Sequence, residues 1–501
     1  MDGNSFVNGS SFVNGSPFRR HAFFFQYRSR PTMRSLAHFF SRTPPLLLVV
    51  ALLFIAGEAQ AQAPGAVAQP QRGPFALTDA RIQTITNGVI ENGTVVIKED
   101  RITAVGENVS VPSGAQTISL NGSTVYPGMI DAGTRLGLVE IGSLSETRDY
   151  SEEGEITPQM QALTAINPSS VSIPITRVNG VTTVISEPTG GLFPGTAALI
   201  DLFGYTPRQM HREFEAAVLD FPATGRRGWW DDRSQEQIEK EAKKAIEKLN
   251  NTWEQAVEYA RIDSAYEAGS DRRPDYAPAL QALAPVVREQ TRLMIRVNRA
   301  KDIKKALEWT EEQGQTDNVI FSGLSEGWRV ADQLAEAGIP CLVGPVLSTP
   351  TRDSDRYDKP YANAGLMHDA GVNLAIRTGE AENVRNLPYH AGFAATYGLG
   401  RVDALRAVTI APARILGVSD EIGSIEEGKI ANLFVADGDP FKTSTDIEHL
   451  FIEGRKVPLV NRQTRLYREY LNRDPGLQGA PGEQVGRDTG QMSGGAPADT
   501  N

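Results

Sequence analysis

Cysteine is almost absent, with Cys341 alone in 501 residues. That excludes an intrachain disulfide, a cysteine-rich zinc site and any iron–sulfur cluster held by this chain by itself. Basic charge is also in deficit: 50 Lys and Arg stand against 61 Asp and Glu, a formal net charge of −11, which argues against nucleic acid as a partner. Histidine is scarce. Of six, only His211, His368, His390 and His449 lie beyond residue 61, each isolated, with no two spaced to share a strand or helix face. What is present is an ordinary globular balance, 40% apolar and 22% charged, in a chain long enough for a barrel-sized core and an accessory module.

The apolar run LLLVVALLFIA at 46–56 has 11 residues, where a membrane span needs about 20. It follows Arg34 and Arg42 and precedes Ala59-Gln60-Ala61, a small-x-small cleavage pattern, so 1–61 is expected to be a signal peptide with an N-terminal extension. FVNGS occurs twice upstream, at 6–10 and 12–16, and Met33 is an alternative start to Met1. Without 1–61 the chain keeps 44 basic and 59 acidic residues. The expected product is acidic and exported, periplasmic or extracellular, with no membrane attachment after cleavage.

Residues 62–74 form a Pro/Ala/Gln linker. Short β-rich runs broken by Gly, Asn and Pro fill 75–128 and return within 412–460, which predicts a composite β-sandwich built from both chain ends. Between them, 129–411 alternates apolar runs (181–186, 292–297, 318–323, 340–345, 372–377) with amphipathic stretches. This predicts an α/β fold, a (β/α)8 TIM-type barrel. Residues 233–265, with Ile238, Ala242, Ile246, Leu249 and Trp253 near helical spacing, predict a long surface helix inserted between barrel units. From 473 to 501 nothing periodic remains, and a disordered tail is expected.

Three ordered blocks then carry a resemblance: Val125-Tyr126-Pro127-Gly128-Met129-Ile130-Asp131-Ala132, the run from Ala404 to Gly417, and the run from Ile422 to Leu433. Together they resemble the amidohydrolase superfamily, in particular the imidazolonepropionase-like secreted members. The resemblance implies a metal-dependent hydrolase barrel with one or two divalent metals, such as zinc, at its mouth, hydrolysing C–N bonds other than peptide bonds. It also implies where the ligands belong, and this chain departs at each place. Gly133-Thr134-Arg135 stands where the family has His-x-His, so Gly133 and Arg135 replace both ligands. Asp201 takes the strand-4 bridging position, Arg296 and Asn298 the strand-5 histidine places, and Ser322 the strand-6 place. Thr378 is followed by Gly379 where the strand-8 aspartate is due, with Glu380 one residue beyond.

Arginine cannot serve as a base or a metal ligand at neutral pH. The expected cofactor is therefore none, and the expected function is that of a catalytically degenerate family member, a binding or partner subunit. Its candidate partners are an active homologue, a second copy of itself, or a small anionic ligand held by arginine forks. An Arg135–Asp201–Arg296 cluster is expected to fill the metal volume, either as a structural plug or as an anion pocket. The alternative is an active C–N hydrolase with a site rebuilt from Asp201, Glu380 and His211. Among weaker signals, EPTGGLFPGT at 187–196 reads as a mouth loop without a phosphate-cradling pattern. Cys341 reads as a buried core thiol, and Trp229 and Trp230 as a lid or surface packing.

Overall fold

The computed structural model describes residues 69–225 and 231–473. The expected signal peptide, the tail from 474 onward and the Trp229–Trp230 pair lie outside the described residues. Two eight-stranded sheets organise the rest. The first begins with β1 (Phe75–Gln83), β2 (Val89–Lys98), β3 (Arg101–Gly106), β4 (Gln116–Ser119) and β5 (Thr124–Pro127). One edge of β1 pairs antiparallel with β2, while its other edge takes β4 along its first half and β5 along its second.

The second sheet contains β6 (Met129–Thr134), β7 (Val181–Ser186), β8 (Gly195–Asp201), β9 (His211–Asp220), β10 (Arg292–Val297), β11 (Val319–Gly323), β12 (Cys341–Val343) and β13 (Leu374–Ile376). They neighbour one another in sequence order and form a nearly closed TIM-type barrel. β6 and β7 are buried at every position, as expected of strands covered on both faces. Side chains alternate across a strand, so Ile185, Val218, Met294, Ile320, Leu342 and Ala375 share one apolar cluster inside the barrel. The opposite faces pack outward against the helices.

One strand breaks the expected parallel pattern. β8 runs antiparallel to both β7 and β9. The links 187–194 and 202–210 are too short to hold a crossover helix, so the chain turns back on itself and the strand's polarity reverses. The seam between β13 and β6 has no strand ladder. It is bridged instead by the Gly379 N–H to the Gly133 carbonyl at 3.0 Å and by the Asp131 carboxylate, which accepts from the Thr378 N–H at 3.0 Å and its hydroxyl at 2.6 Å.

Helix α1 (Gln235–Glu267) lies between β9 and β10 and starts at a Ser234–Gln237 capping box. Ile238, Ala242, Leu249 and Trp253 are its inward face, and Trp253 meets Trp309 edge-on at 5.2 Å. After β10 comes α2 (Ala300–Glu312), then α3 (Ala331–Ala337), α4 (Lys359–Asp369) and α5 (Leu387–Ala394). The chain then returns to the first sheet as β14 (Leu433–Ala436), β15 (Ile447–Ile452) and β16 (Arg455–Val457), with β14 antiparallel to β5, and ends in α6 (Arg462–Leu471). Among the described residues no helix is long and apolar enough to cross a membrane.

Candidate functional site

In a barrel of this type, catalytic groups come from the C-terminal ends of the strands. Two residues beyond the inner apolar layer, on the same inward face, the chain places Glu187, Asp220, Arg296, Ser322 and Arg377. Along these five strands the layer changes in one step from apolar residues to four charged side chains and a serine. Arg296 forks onto Asp220, with Nη2 to Oδ2 at 2.7 Å, and its Nη1 donates to the Pro188 carbonyl at 2.8 Å while lying 3.7 Å from Glu187. Arg377 donates to Glu187 and to the Ser322 hydroxyl. Glu187 is thus shared between two guanidiniums and is itself only 2% exposed. Two arginines and two carboxylates balance within one network that runs from buried Glu187 and Arg377 out to the partly exposed Asp220, and removing either buried member would strand its partner's charge in low dielectric.

Gly133 explains how Arg377 fits. A Cβ at 133 would fall 2.6 Å from Arg377 Cζ and 2.7 Å from its Nε, so the guanidinium occupies the space a side chain there would need. Gly379 has φ +70, a left-handed backbone that favours glycine and that aims its N–H at Gly133 across the seam. Asp131 sits beneath, buried on β6, with the Gly133 N–H as a third donor at 3.2 Å. Burial pushes its carboxyl up to about 7, against the lowering effect of its Thr378 donors and of Arg377.

The expected Arg135–Asp201–Arg296 cluster does not form. Because β8 is reversed, Asp201 ends at the opposite mouth of the barrel, bound to Thr183 Oγ1 at 2.7 Å, Arg212 Nε at 2.7 Å and Asn432 Nδ2 at 3.0 Å. The fourth strand is β9, and its residue at the catalytic end is Asp220, paired in register with Arg296. Arg135 points elsewhere, with its guanidinium 5.2 Å over the Tyr150 ring. Together with Glu380, Glu382 and Asn383 it lines an open cavity of about 260 Å³ at the rim. Asn298 is exposed and accepts from Ser325 Oγ at 3.0 Å, a loop contact outside the ion network.

The three residues of the rebuilt-site alternative, Asp201, Glu380 and His211, are not brought together. His211 is the first residue of β9 and pairs with Ile200 beside Asp201, at the barrel end remote from Glu380. His390 is buried in α5, where its Nδ1 accepts the Val346 N–H at 3.2 Å and burial lowers its pKa to about 4. His368 lies in α4 and His449 in β15. Cys341 is fully buried in β12, and burial pushes its thiol pKa up.

Among the described residues, no group of three or more His, Cys, Asp or Glu is placed to hold a metal ion. The donor set at the mouth does not fit a divalent metal, because Glu187 and Asp220 are bound to guanidiniums and the remaining positions are Gly133, Ser322, Gly379 and two arginines. Sequence reading missed Glu187, Asp220 and Arg377. The signal that finds them is the strand parity, since each stands two residues past an inward apolar residue.

A model of the amidohydrolase family matches residues 305–457. Imidazolonepropionase from Vibrio cholerae serotype O1 is 40% identical over 65 residues, 12% of this chain and 16% of that protein. Amidohydrolase tasK from Hapsidospora irregularis is 20% identical over 396 residues, 72% of this chain and 39% of its own length. The matches therefore span well under half the length of these curated relatives. An amidohydrolase from Thermotoga maritima MSB8 shares the fold at a TM-score of 0.68, 24% identical, over 77% of this chain and 100% of that one. The family match over residues 305–457 and the imidazolonepropionase likeness support membership of the amidohydrolase superfamily, and the Thermotoga maritima structure shows the shared fold.

Proposed function

We propose that this chain is a catalytically degenerate amidohydrolase, a metal-free barrel kept as a binding or partner subunit. The observation that supports it most directly is Arg377: its guanidinium takes the space beside Gly133, and its pairing with Glu187 neutralises the nearest carboxylate. A zinc-bound water has a pKa of about 7 against about 15.7 for bulk water, worth on the order of 12 kcal/mol of nucleophile activation. A guanidinium supplies none of that, since it neither takes up a proton nor coordinates a cation at neutral pH. The hydrolysis of C–N bonds that the family implies thus has no activated nucleophile in this reading.

Export to the periplasm or the extracellular space belongs to the same reading, with an active homologue or a second copy as the macromolecular partner. A small anion would engage Arg135, the arginine that faces the open rim cavity, whereas Arg296 is already committed to Asp220 and Glu187. The test is metal content per polypeptide, measured by elemental analysis after expression with zinc or manganese and dialysis against metal-free buffer. Clearly substoichiometric metal in folded protein is expected. One or two equivalents per chain would overturn the proposal.

A further inference from the structure

Arg177 closes the helical turn Ser172–Arg177 just before β7. A guanidinium is a fork of N–H donors with no acceptor. Here Nη1 donates to the Leu202 carbonyl at 3.0 Å, while Nε is enclosed and donates to nothing. Among the described residues no carboxylate pairs with it, and burial alone acts on its pKa, lowering it to about 10. The group therefore stays protonated at neutral pH, in surroundings where a charge is normally paired. The acids at this end of the barrel are already committed, Asp201 to Arg212 and Glu453 to both Arg212 and Arg455.

Arg177 lines a cavity of about 170 Å³ beside the β8–β9 link, at the end of the barrel opposite Glu187, Arg296 and Arg377. Ile173, Leu202, Phe203 and Met210 make most of its wall apolar. The hydroxyls of exposed Ser169 and buried Ser170 join the guanidinium. Ser170 Oγ accepts the Ser172 N–H at 3.3 Å, which leaves its own proton to donate. Every polar side chain of the lining thus offers a proton, and no carboxylate is among them. Small-molecule sites combine apolar walls with a few polar groups that fix orientation, and an arginine fork matches a carboxylate. The cavity is smaller than the roughly 300 Å³ at which drug-sized pockets begin, so only a compact body has room beside that carboxylate.

We infer that this cavity binds a small carboxylate with a compact apolar body, its charged end on Arg177 and the hydroxyls of Ser169 and Ser170. The ligand supplies the counter-charge that the fold withholds, and its body covers the wall of Ile173, Phe203 and Met210. The rim cavity at Arg135 lies at the other end of the barrel, so the inference is independent of what the mouth does.

Ligand-observed NMR on the purified full chain tests it, with isobutyrate and isobutyramide as probes and inorganic phosphate as a competitor. Isobutyrate should bind saturably and about tenfold or more tighter than the uncharged amide, in Arg135→Ala as in the wild type. Arg177→Met should weaken it by about tenfold or more. Ser169→Asp should do the same, because it brings a carboxylate of the chain's own to the cavity; its position is exposed, so this variant folds even where Arg177→Met does not. Absence of saturable isobutyrate binding overturns the inference, as do equal binding of the amide and binding that persists in either folded cavity variant. Loss of binding in Arg135→Ala would place the ligand at the rim instead and overturn it too. So would displacement of isobutyrate by an equal concentration of phosphate, the mark of an anion site indifferent to the apolar body.

Discussion

Gly133 is the residue on which the mouth turns, and its role is to leave room. In Gly133→Ala the new methyl would lie 2.6 Å from Arg377 Cζ, so the guanidinium must leave Glu187 or the backbone must move. The expected cost is about 1–3 kcal/mol of stability, read by denaturant unfolding. In a double-mutant cycle with Arg377→Ala the two effects should be non-additive by about 0.5–3 kcal/mol; strict additivity would mean that the two positions do not meet. Asp131 gives a second prediction at this scale. Its carboxyl lies near 7 in the fold against an ordinary value of 3.8, so the folded state holds a proton that the unfolded chain has already lost. Its contribution to stability is therefore fullest below about 4, declines as pH rises toward 7 and is level above that. In total this is on the order of a few kcal/mol. Asp131→Asn should remove that decline, and an identical pH slope in variant and wild type between those limits would reject the assignment.

At the scale of elements, the reversed β8 decides what the sequence discloses. The parallel strands were legible as short apolar runs, and α1 was legible from the spacing of Ile238, Ala242, Leu249 and Trp253. The polarity of β8 was not, because alternation of apolar residues reads the same in either direction. Asp201 was consequently expected at the catalytic mouth, and the true mouth residue of the fourth strand, Asp220, passed unnoticed at the end of HREFEAAVLD. Gly133, Asn298 and Ser322 could be picked out by motif order alone, whereas the pairing of Arg377 with Glu187 joins residues 190 positions apart. The reversal also assigns Asp201 a structural task, since it is fully buried and ties β8 to Thr183, Arg212 and Asn432. Asp201→Asn removes one partner of a buried ion pair and should cost about 3 kcal/mol or more. Arg212 keeps Glu453 as a second partner, so the loss belongs at the lower end of that range. Denaturant unfolding checks it, and a change under 1 kcal/mol would show that the pair does not hold β8 in place.

For the molecule as a whole, the stability of the barrel is coupled to a sheet that neither end of the chain can complete alone. β14, from the C-terminal part, pairs with β5 in the middle of the first sheet. Asn432, just before β14, reaches the barrel through Asp201, and the Val408 carbonyl accepts the Ile130 N–H at 2.8 Å on the first barrel strand. Chains of this size often unfold in stages, but here each module borrows strands or hydrogen-bond partners from the other's sequence. The described tryptophans Trp253, Trp309 and Trp328 all sit on the barrel wall, so their fluorescence reports the barrel, while far-UV circular dichroism also reports the composite sheet. The two signals should follow one denaturant transition with a common midpoint. Truncation after residue 430 removes β14–β16 and leaves the edge of β5 unpaired, a template for intermolecular pairing, so it should yield aggregated protein rather than a stable barrel. A soluble truncated barrel with native fluorescence, or two separated transitions in the intact chain, would show that the modules stand independently and that the junction at Asn432 contributes little.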